Sequence, residues 1–215
     1  AAALGPAIKA AVADGIPVVT MHSGLEASKE LGALMHVGQP ERDAGEAAGT
    51  RAASEGVTNG LCLNQEAFNT ALVDRCEGYF AGLGGDLNMI DVSNDPAQIE
   101  TRTAAALQAD PSIDGVLAVG PHVCEAATKA IDAVGADVHL ACFDLSPGVM
   151  DMIEAGRASF TIDQQQRLQG YMPVIVLHLY NNHAGLLPGN NIASGPGFVD
   201  ASNAAAVKEL AGIDR

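Results

Sequence analysis

The most constraining feature of this sequence is a regular alternation of short apolar segments with helical ones. Predicted strands at 61–63, 87–92, 115–119, 138–143 and 159–162 alternate with predicted helices at about 69–81, 96–109, 121–134 and 146–155. Most of these strands are continuous apolar runs, as expected when both faces of a sheet are covered. The alternation predicts an α/β protein with doubly wound, Rossmann-like parallel sheets.

Polar residues at the ends of these segments refine the prediction. Asn69, Asp95 and Ser146 each precede a predicted helix, where a side-chain oxygen can cap the first backbone N–H groups. The strand at 87–92 carries an asparagine and an aspartate among its apolar residues. We therefore expect that strand to lie near an edge of its sheet.

Charge and apolar content exclude several classes of protein. The chain of 215 residues has 11 Lys and Arg against 26 Asp and Glu, and its net charge of −15 argues against nucleic acid or an anionic membrane as a partner. Hydrophobic residues make up 48% of the chain, which excludes a disordered acidic tail. No apolar run reaches the roughly 18 residues that span a bilayer, and no basic segment followed by a long apolar core opens the chain.

The four cysteines, Cys62, Cys76, Cys124 and Cys142, lie far apart and form no C-x-x-C pair. The favoured interpretation is four buried free thiols, while all three complete disulfide pairings stay open. The spacing predicts no zinc site. No metal is predicted for that reason. Neither G-x-x-x-x-G-K-[ST] nor a G-x-G-x-x-G after a strand occurs, so no nucleotide cofactor is predicted.

Polar side chains follow every strand of the predicted series. In an open α/β sheet, ligands bind beyond the carboxyl ends of the strands. Carboxylates and amides accept protons from hydroxyl groups, and an arginine donates to hydroxyl oxygens. These polar groups therefore suit a neutral, polyhydroxylated ligand. The residues that follow the strands are Asn64, Gln65, Glu66, Phe68 and Asn69 after the first strand, with Arg75 further along the helix, and then Asn94, Gly120, His122, Phe143, Asp144 and Gln164 after the later strands.

Several of these residues also have a purely structural interpretation. Arg75 could equally lie on a solvated helix face, and the caps named above need not touch a ligand. Asp144 and Asp163 could form an acid/base pair, which is the less favoured interpretation because a binding site also needs polar strand ends. The sequence contains neither H-E-x-x-H nor G-x-S-x-G, and we predict no enzyme activity.

At these positions the sequence resembles the periplasmic sugar-binding proteins of the ribose-binding type, the substrate-binding components of bacterial ABC importers. The matching segments, in order, are 7–11, 15–19, 45–49, 69–79, 113–118, 143–144, 161–164, 168–171 and 194–199. The resemblance implies two lobes joined by a hinge near 37–40 and 163–165, closing on a monosaccharide or sugar alcohol. It also implies a periplasmic location and a membrane permease as partner.

The resemblance further implies which residues bind the ligand. Arg75 matches the sugar-binding arginine of the family, Phe143 and Asp144 match its Phe-Asp pair, and Gln164 matches its hinge-side glutamine. The predicted set is completed by His22, Phe68, Asn69, Ala71, Asn94 and Gly120. The sequence departs from the family at His22-Ser23, where many relatives carry Asp-Arg, and at Gly120-Pro121, which replaces Asn-Asp.

The same resemblance assigns residues 39–163 to a complete C-terminal lobe, 1–38 with 164–197 to a partial N-terminal lobe, and 198–215 to a strand and helix extension. Members of the family open with a strand–helix–strand–helix–strand segment, which has no counterpart before the helix that begins at Leu4. We therefore expect the first lobe to be incomplete and the helix at 165–182 to expose apolar residues. We also expect the chain to be a fragment or to lack its first segment.

Two alternative functions stay open. One is the sugar-responsive effector domain of a lac-repressor-like transcription factor, which shares this fold, and the other is a sugar-modifying enzyme.

Overall fold

The computed structural model describes residues 3–213 and 215. In chain order its elements are α1 (Gly5–Ala13), β1 (Val19–Met21), α2 (Leu25–Ser28), β2 (Met35–Gly38), α3 (Glu41–Ser54), β3 (Gly60–Asn64), α4 (Thr70–Leu83), β4 (Met89–Asp91), α5 (Pro96–Ala109), β5 (Gly115–Ala118), α6 (Pro121–Val134), β6 (His139–Phe143), α7 (Pro147–Glu154), β7 (Phe160–Asp163), α8 (Gln166–Asn182), β8 (Ile192–Ala193), β9 (Gly197–Asp200) and α9 (Ala204–Val207). This mixture of parallel strands and helices confirms the predicted α/β class.

The chain divides into two compact units. The smaller unit comprises residues 1–40 and 164–195, and the larger unit comprises residues 41–163 and 196–215. The predicted boundary at 38/39 therefore lies two residues early, and the predicted boundary at 163/164 coincides with the observed one. The separate extension predicted at 198–215 belongs instead to the larger unit, because β9 pairs with β7.

A six-stranded sheet organises the larger unit. Its order is β4-β3-β5-β6-β7-β9, in which β9 alone runs antiparallel to its neighbour. The edge position of β4 agrees with the polar residues inside the 87–92 segment. The connection that leaves β3 runs to one side and the connection that leaves β5 runs to the other, so the topological switch point lies between these two strands. Ligands bind at such points in open α/β sheets.

Two apolar clusters pack on the two faces of this sheet. Leu61 and Val116 belong to the cluster that includes residues of α5, α6, α7 and α9, whereas the adjacent Cys62 and Leu117 belong to the cluster that includes residues of α3 and α4. Successive strand residues point to opposite faces, so burial on both faces explains why these strands are continuous apolar runs. Both faces are covered, as the sequence predicted.

The helices α3 and α4 cross at very short range. A Cβ built at Gly49 would collide with the carbonyl oxygen of Tyr79, and one built at Gly78 would collide with the carbonyl oxygen of Arg42. Only glycine allows two helix backbones to approach this closely. The crossing places the start of α3 directly against the middle of α4.

The interpretation of the cysteines as free thiols is wrong. Cys62 on β3 pairs with Cys76 on α4, and Cys124 on α6 pairs with Cys142 on β6. The Cα atoms of the two pairs lie 5.7 and 5.8 Å apart, within the usual range for a disulfide. All four side chains are fully buried, as predicted.

The smaller unit contains a three-stranded parallel sheet in the order β1-β2-β8. Neither β8 nor the short helix α2 was predicted, and the helix predicted within the extension at 198–215 is reduced to α9 with turns around it. On α8, Tyr171 and Val174 are 63% and 66% exposed, as expected for this helix. Among the described residues, no helix is both long and apolar enough to cross a membrane.

Candidate functional site

The switch point of the larger unit holds the predicted arginine. Arg75, on the second turn of α4, is 2% exposed, and its Nη1 donates to the carbonyl oxygen of Val119 just beyond β5, at 3.0 Å. Its guanidinium lies 4.6 Å from the ring centroid of Phe143, at the end of β6. The alternative of a solvated helix face is therefore wrong. Instead, Arg75 joins the ends of two parallel strands.

A carboxylate that the sequence did not reveal fixes the orientation of this arginine. Glu41, the first residue of α3, accepts from Arg75 Nε at 2.7 Å and from Arg75 Nη2 at 3.1 Å. This two-bond pairing is the strongest geometry available to an arginine and a carboxylate. Val119 takes a third donor, so two of the five N–H donors of the guanidinium form no hydrogen bond with the residues that the structure describes.

Asp144 lies beside the free edge of the guanidinium. One carboxylate oxygen, Oδ2, lies 3.6 Å from Arg75 Nη1. The Asp144 backbone is left-handed, with φ of 69°. Two hydrogen bonds to β7 hold that conformation: its N–H donates to Ile162 at 2.7 Å, and its carbonyl oxygen accepts from the Thr161 hydroxyl at 2.7 Å. Strained backbone of this kind clusters at functional sites.

A shallow depression of about 560 Å³ lies beside β3 and β4. Its lining includes five residues of the set predicted at the strand ends: Gln65, Glu66, Phe68, Asn69 and Asn94. The Phe68 side chain is fully exposed, so its ring face is free to stack on a ligand. Asn94 Oδ1 lies 3.1 Å from His122 Nε2. The depression thus combines an apolar ring with amide and carboxylate groups.

The three predicted caps are present. Asn69 accepts from the N–H of Ala71, Asp95 from the N–H of Gln98, and Ser146 from the N–H of Val149.

Two further predicted residues contribute backbone rather than functional side chains. Ala71 is 8% exposed on the first turn of α4. Gly120 directly precedes α6, and a Cβ at Gly120 would lie only 2.9 Å from Gln65 Nε2. Gly120 therefore leaves room for the amide of Gln65.

His22 and Gln164 belong to the smaller unit. A third residue, Gln169 on α8, connects them: its Oε1 lies 2.9 Å from His22 Nδ1, and its Nε2 donates to the carbonyl oxygen of Gln164 at 3.1 Å. Gln169 is 1% exposed and also donates to the Ser194 hydroxyl at 2.8 Å. Gln169 is not predictable from the sequence, because nothing in the local pattern of a helix shows that this residue faces His22, 147 residues away.

Asp163, the second residue of the acid/base pair considered in the sequence, does not face solvent. Asp163 is fully buried, and its Oδ2 accepts from Arg215 Nε at 2.6 Å. In the described part of the chain, no group of three or more His, Cys, Asp or Glu side chains is placed to hold a metal ion.

A second depression, of about 530 Å³, lies on α3 and beside Phe198, away from the switch point. None of the predicted site residues lines it. Its arginine, Arg51, is already paired with Glu55 at 2.7 Å and Asp200 at 2.8 Å. We therefore place the candidate site at the strand ends, where Arg75, Phe143 and Asp144 lie together.

The chain is similar to a known protein family, to a curated relative and to solved structures. A family model described as a periplasmic binding protein domain matches residues 1–183. A xylose/arabinose-binding protein of Sulfolobus acidocaldarius is 39% identical over 61 residues, which cover 28% of this chain and only 15% of that protein. The chain thus matches a small part of this curated relative.

Solved structures give broader matches. A carbohydrate transporter from Acidothermus cellulolyticus, in complex with myo-inositol, is 41% identical with a TM-score of 0.89, and the match covers 96% of this chain and 73% of that one. A periplasmic ribose ABC transporter from Conexibacter woesei is 22% identical with a TM-score of 0.82, over 96% of this chain and 72% of that one. The second likeness shows the fold alone.

Proposed function

Since this chain belongs to the periplasmic binding protein domain family, we propose that it is the substrate-binding component of a bacterial ABC importer and captures a monosaccharide or sugar alcohol. The observation that carries the proposal is the cluster of Arg75, Asp144 and Phe143 at the switch point of the larger unit. A membrane permease as partner and a periplasmic location form part of the same proposal.

The cluster suits hydroxyl groups better than charged ligands. Arg75 offers two N–H donors and Asp144 offers carboxylate acceptors, and a hydroxyl group uses both because it donates and accepts at once. An anionic ligand would meet the carboxylates of Asp144 and Glu41 beside the guanidinium of Arg75. A neutral polyol avoids that repulsion.

Myo-inositol is the first ligand to test. A carbohydrate transporter that is 41% identical over 96% of this chain was crystallised in complex with myo-inositol. In addition, many members of the family that the sequence resembles carry Asp-Arg where this chain has His22-Ser23. The chain thus lacks that carboxylate and that guanidinium, which is compatible with a ligand recognised through hydroxyl groups alone.

The decisive experiment compares Asp144→Asn with Asp137→Asn. Asp144 directly follows β6, whereas Asp137 is an exposed aspartate that lies before the same strand. Asparagine tolerates the left-handed backbone of residue 144, so Asp144→Asn changes the charge and leaves the fold. Because hydrogen bonds to charged groups are the stronger ones, we expect Asp144→Asn to weaken binding by about 10- to 100-fold and Asp137→Asn to have no effect, as measured by titration calorimetry.

Each outcome has one meaning. If neither myo-inositol nor a panel of pentoses and hexoses binds the unaltered chain, the proposed function is wrong. If a polyol binds and Asp144→Asn binds it equally well, the site is wrong. Recovery of a chemically altered sugar after incubation would favour the sugar-modifying enzyme instead.

The likeness to sugar transport proteins supports an importer component over the effector domain of a transcription factor. The expected closure of two lobes about a hinge stays a prediction. Small-angle scattering with and without ligand tests it, and an unchanged radius of gyration would contradict it.

A further inference from the structure

The network around Gln169 determines which nitrogen of His22 carries a proton. Gln169 Nε2 donates to the carbonyl oxygen of Gln164, which can only accept. The amide of Gln169 therefore cannot be turned around without placing two oxygens against each other. Its Oε1 must point to His22 Nδ1, at 2.9 Å.

An amide oxygen accepts and never donates, so His22 Nδ1 must supply the proton of this hydrogen bond. In a neutral imidazole the other nitrogen, Nε2, then carries a lone pair. His22 Nε2 has no protein partner in the described part of the chain, and the His22 residue is exposed. We infer that Gln169 is a positioning residue that holds His22 as the Nδ1–H tautomer, so that Nε2 accepts a proton from a ligand hydroxyl group.

The backbone supports this orientation. His22 is left-handed, with φ of 68°, and its N–H donates to Val37 at 2.9 Å. A Cβ at Gly38 would collide with the His22 carbonyl oxygen, at 2.5 Å. The left-handed backbone of His22 and the absence of a side chain at Gly38 thus allow the imidazole to lie beside Gln169.

Gln169 is itself fixed by its surroundings. It is 1% exposed, and its second acceptor, the Ser194 hydroxyl, is fully buried. A buried amide with every hydrogen bond formed has a single orientation, because any other leaves polar groups unsatisfied. The tautomer of His22 is consequently set by the fold before any ligand arrives.

The inference deepens the proposed function and rests on it where the ligand is concerned, whereas the tautomer can be measured without ligand. A long-range ¹H–¹⁵N spectrum of the labelled chain distinguishes the two tautomers of each histidine. The His22→Asn variant assigns the signals, and the other five histidines serve as internal controls. We expect the Nδ1–H form of His22, and an Nε2–H form overturns the inference.

Variants then test the role of Gln169. In Gln169→Met the ring is released, so we expect a mixture of tautomers and an affinity for myo-inositol about tenfold lower, as for the loss of one hydrogen bond. In Ser194→Ala the bond to Gln164 still fixes the amide, so the tautomer and the affinity should stay unchanged. A folded Gln169→Met variant with the tautomer and affinity of the unaltered chain overturns the positioning role.

The two proposals fail in different ways. If Gln169→Met does not fold, the spectra of the unaltered chain and of Ser194→Ala still decide the tautomer. If no polyol binds the unaltered chain, the proposed function and the hydroxyl contact are both overturned, while the spectrum alone decides the tautomer.

Discussion

The two units of the molecule are built on different physical principles. The larger unit buries 41 apolar and six polar or charged side chains, whereas the smaller unit buries four apolar and six polar ones among the described residues. Apolar burial supplies most of the free energy of folding. The larger unit is therefore organised by its core, and the smaller unit relies far more on a buried hydrogen-bond network.

Charge divides the chain in the same way. The smaller unit contains three Lys and Arg and three Asp and Glu, whereas the larger unit contains eight and 23, so the larger unit carries the whole net charge of −15. Four of the six histidines, in contrast, belong to the smaller unit. The larger unit thus carries its charge around a large apolar core, while two of the histidines of the smaller unit, His22 and His36, form hydrogen bonds with other side chains.

The largest expected effect breaks the packing of the larger unit. Gly49→Leu forces a side chain between α3 and α4 where the backbone of Tyr79 already lies, and we expect it to cost about 4 kcal/mol or more. The matched control in the smaller unit is Gly170→Ala on α8, where an added Cβ meets nothing within 4 Å. We expect that control to gain about 0.5–1 kcal/mol from the higher helix propensity of alanine.

Urea unfolding followed by circular dichroism measures both changes, since the chain has no tryptophan. Hydrogen exchange resolved by peptide then shows which unit is affected. An unchanged unfolding midpoint for Gly49→Leu would contradict the close crossing of the two helices.

A smaller effect is expected from the disulfides, which both belong to the larger unit. Replacing Cys124 and Cys142 together by alanine opens a loop with a sequence separation of 18 residues, which we expect to cost about 3 kcal/mol. Hydrogen exchange should increase in the larger unit and stay constant in α8. Alkylation of the denatured, unreduced chain should modify no cysteine, and four modified thiols would restore the interpretation drawn from the sequence.

Features set by near neighbours were predictable from the sequence. The caps Asn69, Asp95 and Ser146 bond to N–H groups two or three residues away, so a short window contains all the information. The edge position of β4 was also predictable, because polar residues inside a strand are tolerated where one side is open to solvent.

Features set by distant partners were not predictable. Glu41 and Arg75 are 34 residues apart, and their pairing depends on how α3 crosses α4. The strand β8 has only two residues, and Asn191 just before it accepts from the N–H of His36, 155 residues away. The cysteine pairing likewise depends on the positions of whole helices over the sheet, which the periodicity of the sequence does not contain.

The smallest expected effect concerns a carboxylate of the larger unit, Glu55. Burial alone would raise its pKa, but hydrogen bonds from Ser159, Arg51 and His139 lower it from 4.5 to about 2. A carboxyl group with a lowered pKa stabilises the fold above its ordinary pKa, and that contribution is lost as the pH falls from 4.5 towards 2. Because the side chain of Glu55 is 29% exposed, we expect the contribution to be about 1 kcal/mol or less.

The variant Glu55→Gln removes this titration. It should be less stable than the unaltered chain at pH 7, and the difference in unfolding free energy should nearly vanish towards pH 2, where about half of the folded carboxyl group is protonated. The control is Glu30→Gln, which replaces an exposed carboxylate of the smaller unit. It should leave the difference between the unfolding free energies at pH 7 and at pH 2 as it is in the unaltered chain. Unfolding midpoints measured at several values of pH provide the comparison. Parallel pH profiles for Glu55→Gln and the unaltered chain would show that acid destabilises the larger unit through its other carboxylates rather than through this cluster.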